Sequence, residues 1–171
     1  MFVLGIDPGL TRCGFGMLRR ADAGARATFS AEGAGVIETD PGDPVDRRLA
    51  TLSIDLDELL DELVPEVVVV EKIFFQTNVR TAISVAQASG VALAAAARRK
   101  IPVVQYTPNE VKLAVVGNGA ATKTQVQSMV ARLCGLASPP KPPDAADALA
   151  LAACHLSSAR LRAAVAAASA R

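Results

Sequence analysis

The chain of 171 residues is 51% hydrophobic and 20% charged, with 18 basic residues against 17 acidic ones. This length fits one domain with a sizeable core, and the longest apolar-rich stretch, residues 82–97, is too short and too polar to cross a bilayer. The net charge of +1 neither indicates nor excludes a nucleic-acid partner, because phosphate binding depends on basic residues clustered on one face.

The beginning of the chain predicts three consecutive strands, at residues 2–7, 13–19 and 27–37. The first strand is a short apolar run that Pro8-Gly9 ends. The third strand is the weakest prediction, because it is rich in glycine and alanine. Since the three strands follow one another closely, we predict an antiparallel meander.

The middle of the chain predicts a helix followed by a buried strand. Residues 45–63 place leucines along one helical stripe, and Pro65 ends this helix. Residues 67–70 are an uninterrupted run of valines. Such a run is typical of a parallel strand that is covered on both faces.

The remainder predicts four more helices around one short strand, and each helix begins at a polar capping residue or a proline. The strand covers residues 102–106, and the first of these helices covers residues 78–99. The second runs from Pro108 to the glycine-rich break at 117–119, and the third runs from its cap at Thr122 to Cys134. The last helix is capped by Asp144. The predicted fold class is α/β: a five-stranded mixed sheet, with three antiparallel strands and then two parallel ones, flanked by helices.

The cysteines and the histidine argue against a disulfide framework or a zinc site. Cys13, Cys134 and Cys154 are widely spaced and form no CxxC pair, and His155 is the only histidine. Asp7 also interrupts the only candidate signal sequence. We therefore expect a cytoplasmic protein in which the cysteines fill the core and His155 has a structural role.

Four acidic residues lie where predicted elements begin or end. Asp7 ends the first strand and Glu71 follows the valine run, so the two carboxylates meet if these strands are neighbours. Asp144 and Asp147 are three residues apart and share one helix face. Carboxylates that lie side by side repel one another unless they are protonated or bridged by a cation.

A cluster of this kind indicates metal-dependent chemistry. Hard divalent cations such as Mg²⁺ prefer oxygen ligands, and two of them about 3.5–4 Å apart can promote in-line cleavage of a phosphodiester. Each acid also has a simpler interpretation. Asp7 is explained by a turn, Glu71 by a solvated strand end beside Lys72, Asp144 by an N-cap, and Asp147 by surface charge.

Four segments of the chain resemble the RuvC family of crossover-junction endodeoxyribonucleases, the bacterial Holliday junction resolvases. They are residues 4–16, 67–93, 109–130 and 142–155, and they occur in family order. The resemblance implies a ribonuclease H-like fold over residues 1–158, followed by an Ala-rich tail, residues 159–171, that we expect to fray. It also implies symmetric, Mg²⁺-dependent nicking of four-way DNA junctions in recombination and repair.

The resemblance assigns roles to individual residues. It implies Asp7, Glu71, Asp144 and Asp147 as the catalytic and metal-binding acids, with two Mg²⁺ ions per active site and Mn²⁺ as a further candidate. It implies that Phe74, Lys112 and Lys123 contact DNA. Without the resemblance, lysines on helices are usually solvated surface charge, and a phenylalanine such as Phe74 is more often part of the core.

The resemblance further implies a homodimer that works with the branch-migration proteins RuvA and RuvB. The helix at residues 78–99 is our candidate for the dimer face, because its apolar surface exceeds what one sheet face can cover. Two departures from the family pattern are Ser89, where many members carry arginine, and Lys72 after Glu71. Neither changes the four acids.

Three other interpretations remain open. An actin-like ATPase or sugar kinase shares the Asp-x-Gly turn, but usually needs a second phosphate loop and about twice this length. A pre-resolvase of the same fold would act on RNA. A DNA-binding scaffold without catalysis would bind junctions, but it leaves the four acids unexplained.

Overall fold

The computed structural model describes residues 1–20, 28–73 and 79–169, with the backbone alone for residues 79–81 and 159–169. Phe74 and the predicted helix cap at residues 77–78 lie outside the described residues. The described elements are β1 (Phe2–Asp7), β2 (Arg12–Arg20), β3 (Phe29–Glu38), α1 (Val45–Leu63), β4 (Val67–Glu71), α2 (Val79–Arg98), β5 (Val103–Tyr106), α3 (Pro108–Val116), α4 (Lys123–Leu133) and α5 (Pro143–Ser169).

The strands form a five-stranded mixed sheet in the order β3-β2-β1-β4-β5. Strands β1, β2 and β3 pair antiparallel, and β4 pairs parallel with both β1 and β5. This confirms the predicted meander followed by parallel strands. It also makes β1 and β4 direct neighbours, which the prediction for Asp7 and Glu71 required.

Helices cover both faces of the sheet, and β4 divides the core between them. Val68 and Val70 pack on the side of α1 and α2, whereas Val69 packs on the side of α3, α4 and α5. All three valines are 0% exposed. Because successive side chains of a strand point to opposite faces, the valine run forms a strand that is buried from both sides.

The predicted helix at residues 45–63 has the same bounds as α1 in the structure. Leu52, Leu56 and Leu60 form its buried stripe. Helices α3 and α4 both begin with a capping box, at Thr107 and Thr122 respectively. In each box, a threonine hydroxyl accepts from a backbone N–H of the first turn while a Glu or Gln side chain accepts from the threonine N–H.

The start of α5 differs from the prediction. The helix begins at Pro143, so Asp144 lies inside the first turn and is not the N-cap. Proline fits the first position of a helix because its missing N–H would have no partner there. The helix continues to Ser169 and so includes part of the Ala-rich tail. The fraying of that tail stays a prediction.

Helix α5 lies directly on β1 and β2 through glycines. A Cβ atom on Gly5 would collide with the carbonyl oxygen of Ala148, and one on Gly14 would collide with that of Asp144. Only glycine permits such a close approach of two backbones. We call this contact the glycine seam. It places the acidic first turn of α5 beside the carboxyl end of β1.

The predicted core positions of the three cysteines are confirmed. Cys13, Cys134 and Cys154 are all buried and form no disulfide. His155 is buried and its Nδ1 lies 3.1 Å from the hydroxyl of Tyr106. Among the helices of the described ranges, none combines the length and the apolar character that a bilayer crossing requires.

Candidate active site

Asp7 and Glu71 lie side by side at the carboxyl ends of β1 and β4. The preceding residues, Ile6 and Val70, are register partners in the parallel pair. The two carboxyl groups share a hydrogen bond. Burial and the neighbouring Glu71 raise the pKa of Asp7 from 3.8 to about 8, and burial also raises the pKa of Glu71. A proton therefore sits between the two acids at neutral pH.

Asp147 lies on α5 close to this pair. Its charge contributes to the raised pKa of both Asp7 and Glu71. The Lys123 ammonium forms an ion pair with Asp147 Oδ2, and Gln127 Nε2 donates to Asp147 Oδ1 at 3.1 Å. The side chain of Asp147 is 21% exposed. The alternative interpretation of Asp147 as a solvated surface charge does not fit, because this carboxylate is partly buried and contacts both Lys123 and Gln127.

Asp144 is placed differently from the other three acids. Arg12 Nε donates to Asp144 Oδ2 at 3.0 Å, and the same guanidinium pairs with Glu38. Asp144 is not among the residues that line the cleft formed by the other acids. The structure thus brings Asp7, Glu71 and Asp147 together and leaves the Asp144 carboxylate beside them, bound to β2.

The three acids line a cleft with a volume of about 300 Å³. Two lysines that the sequence analysis singled out, Lys112 from α3 and Lys123 from α4, line the same cleft. Apolar side chains form the rest of its wall: Pro108, Val111, Val126, Ala150 and Leu151. The cleft therefore combines negatively charged oxygen atoms, cationic side chains and a partly apolar wall. Such a combination suits a site that binds a phosphate between metal ligands and cationic side chains.

The buried acid pair suits a divalent cation. The two carboxyl groups lie so close together that they share a proton. At this spacing, a hard cation can bridge their oxygen atoms in place of the proton. In the parts of the chain that the structure describes, no three His, Cys, Asp or Glu side chains are close enough to hold an ion as they stand. Asp144 and Asp147 each form an ion pair with a cationic side chain instead, Arg12 and Lys123 respectively.

Some contacts of the site were not anticipated. Nothing in the sequence analysis pointed to Gln127 or Arg12. Gln127 follows Lys123 by four residues, and this helical spacing is the signal that could have indicated it. Ser89 is only 3% exposed, so in this chain the position faces the interior of the protein.

Comparisons with known proteins agree with this geometry. Residues 3–155 match the family model described as crossover junction endodeoxyribonuclease RuvC. A protein of that name from Frankia alni is 54% identical over 172 residues, which cover 98% of this chain and 86% of the relative.

Solved structures show the same relationship. The RuvC structure from Thermus thermophilus has a TM-score of 0.86 at 37% identity, covering 94% of this chain and 96% of that one. The T. thermophilus RuvC in complex with a Holliday junction substrate has a TM-score of 0.85 at 38% identity and the same coverage. The ribonuclease H-like fold is thereby confirmed. With a family match over nearly the whole described core, the chain belongs to the RuvC family of crossover junction endodeoxyribonucleases.

Proposed function

We propose that this protein resolves four-way (Holliday) DNA junctions by metal-dependent hydrolysis of phosphodiester bonds. The observation that carries the proposal is the cleft in which Asp7, Glu71 and Asp147 meet Lys112 and Lys123. The family match and the relative solved with a Holliday junction support the choice of substrate.

Asp7, Glu71, Asp144 and Asp147 are the proposed metal ligands, with Mg²⁺ as the preferred ion and two ions per site. When bound, such ions supply an activated water and stabilise the leaving oxygen. Asp7 and Glu71 would have to lose their shared proton to serve as ligands. Asp144 must leave Arg12, which a rotation of its side chain permits, because the glycine seam fixes only its backbone.

Lys112 and Lys123 are proposed to neutralise the phosphate that enters the cleft. Lys123 forms its ion pair with Asp147 in the absence of DNA, and its side chain is 62% exposed. The Lys123 end of this ion pair lies mostly in solvent, so holding the ammonium at Asp147 stabilises it little, and we propose that the ammonium turns to a phosphate oxygen. Phe74 is proposed to contact bases, as the family resemblance implies.

Further proposals concern assembly and extent. Symmetric cleavage of opposed strands needs two active sites, which a two-fold homodimer supplies. Cooperation with RuvA and RuvB in the cytoplasm is proposed from family membership alone. Residues 1–158 are the proposed nuclease domain, since the family match ends at residue 155 and Leu156 is the last buried residue among the side chains that the structure describes.

The test uses a synthetic mobile four-way junction labelled on each arm, incubated with and without Mg²⁺. We expect paired nicks at symmetric positions that require Mg²⁺. Linear duplex and RNA are included as alternative substrates. Cleavage of RNA in preference to the junction, or tight junction binding without any Mg²⁺-dependent product, would contradict the proposal.

A further inference from the structure

The two carboxylate oxygens of Asp147 have different partners, and α4 supplies both. Gln127 Nε2 donates to Oδ1 at 3.1 Å, and the Lys123 ammonium pairs with Oδ2. Residues four apart on a helix lie on the same face. Helix α4 thus contacts both carboxylate oxygens of Asp147 from one face.

The two partners differ in charge and in exposure. Lys123 carries a positive charge on a side chain that is 62% exposed, so it opposes a cation at Asp147 and is attracted to phosphate. Gln127 is half-buried and uncharged. Its amide leaves the negative charge of Asp147 intact, so this hydrogen bond can persist when a cation binds the other oxygen.

We propose that Gln127 is a positioning residue that holds Asp147 Oδ1 and thereby keeps Oδ2 available to a divalent cation once Lys123 turns to the DNA. The inference rests on the proposed function and extends it to a residue that does not itself line the cleft. Partners that orient a metal-binding side chain in this way typically change metal affinity or activity by about 10–100-fold when they are removed.

The chain offers a matched control in the same helix. Gln125 is exposed, and its side chain accepts from the backbone N–H of Thr122 in the capping box of α4. Gln125→Met removes a contact that stabilises the helix, whereas Gln127→Met removes the contact with Asp147. Methionine has nearly the length of glutamine and lacks its amide, so the two variants separate helix stability from orientation of the carboxylate.

Two readouts are measured for the wild type and both variants. The first is the rise in unfolding temperature of the DNA-free protein as Mg²⁺ is added, and the second is the Mg²⁺ dependence of junction cleavage. We expect Gln127→Met to need roughly 10–100-fold more Mg²⁺ in both assays. We expect Gln125→Met to unfold at a lower temperature with an unchanged Mg²⁺ midpoint. Junction binding without metal should be the same for all three proteins.

The outcomes separate this inference from the proposed function. If the wild type cuts the junction and Gln127→Met has the same Mg²⁺ midpoint, only the role of Gln127 is overturned. The same conclusion follows if Gln125→Met shifts the Mg²⁺ midpoint as much as Gln127→Met does. A wild type that gains stability from Mg²⁺ without cutting, and loses that gain in Gln127→Met, overturns the proposed function while supporting the inference. A wild type that neither gains stability nor cuts overturns both.

Discussion

Arg12 Nε donates a hydrogen bond to Asp144 Oδ2 over 3.0 Å, and so ties the first acid of α5 to the beginning of β2. The same guanidinium pairs with Glu38, its register partner on β3. Arg12 therefore neutralises Asp144 where the proposed function requires a metal ion. Binding of that ion must compete with an arginine that the chain itself supplies.

Arg12→Gln should increase the affinity of the protein for Mg²⁺. Exposed ion pairs are worth at most about 1 kcal/mol, so the Mg²⁺ midpoint should fall by up to about fivefold. The measurement is the thermal shift with Mg²⁺ in the absence of DNA. Arg19→Gln is the control, because Arg19 is also on β2 but pairs with Glu32. A higher Mg²⁺ midpoint in Arg12→Gln would mean that Arg12 positions Asp144 for the ion instead of competing with it.

Asp7→Asn should abolish cleavage, reducing product formation by at least ~100-fold, while junction binding is retained. The same change should stabilise the metal-free protein at about pH 8, because it removes a buried charge beside Glu71. The unfolding temperature should rise by roughly 2–4 °C for each kcal/mol gained.

Asp43→Asn controls for the change in net charge, because Asp43 is an exposed residue of the turn before α1. Wild-type cleavage by Asp7→Asn would refute the role proposed for Asp7. An unfolding temperature below that of the wild type at this pH would instead show that the Asp7 carboxyl stabilises the metal-free fold.

The stability of the metal-free protein should fall as the pH rises. The pKa of Asp7 is raised from 3.8 to about 8 in the folded chain, so between these values the folded protein holds a proton that the unfolded chain has lost. Protons therefore favour the folded state, and this contribution disappears as the pH passes about 8. Thermal unfolding in chelator across this range measures the effect.

Magnesium should reverse this trend, because the ion displaces the shared proton. The rise in unfolding temperature at a fixed Mg²⁺ concentration should be larger near pH 8 than near pH 6. Glu71→Gln serves as the comparison, since it removes one member of the pair and should flatten the dependence. A Mg²⁺ effect that is the same at both pH values would argue against a proton held between Asp7 and Glu71.

Gly14→Ala should disrupt the first turn of α5. The new Cβ would lie 2.6 Å from the carbonyl carbon of Asp144 and 3.1 Å from its Cβ. Overpacking of this kind costs about 1–3 kcal/mol, which corresponds to a fall of roughly 2–4 °C in unfolding temperature per kcal/mol. Cleavage should decline as well, because Asp144 is displaced.

Gly90→Ala is the matched control for this substitution. Gly90 lies within α2, and a Cβ there would meet no atom within 4 Å. The change should raise stability by up to ~1 kcal/mol, since alanine favours helix more than glycine does. Equal unfolding temperatures for Gly14→Ala and the wild type would show that the glycine seam tolerates a side chain.

The elements of this fold follow closely from local sequence patterns. The leucine stripe of α1 and the valines of β4 each bury a defined face, so periodicity alone indicated their bounds and burial. The sequence predicted that Asp7 and Glu71 meet if β1 and β4 are neighbours, and the strand order shows that these strands are neighbours. The contact between Asp144 and Arg12 could not be predicted from the sequence, because it depends on the strand register that places Arg12 opposite Glu38. The hydrogen bond from Gln127 to Asp147 could not be predicted either, since it forms only when α4 packs beside α5.

At Gly5 and Gly14, the backbone of α5 packs directly against the backbones of β1 and β2. The separation between the acids of the helix and the acid at the strand end is therefore set by backbone atoms, whose dimensions are the same whatever residues surround them. Core side chains elsewhere in the molecule can be substituted, in evolution or by design, without changing that separation. Tolerance to substitution should accordingly be lowest along the glycine seam, whereas the leucines of α1 should tolerate exchange for apolar side chains of similar volume.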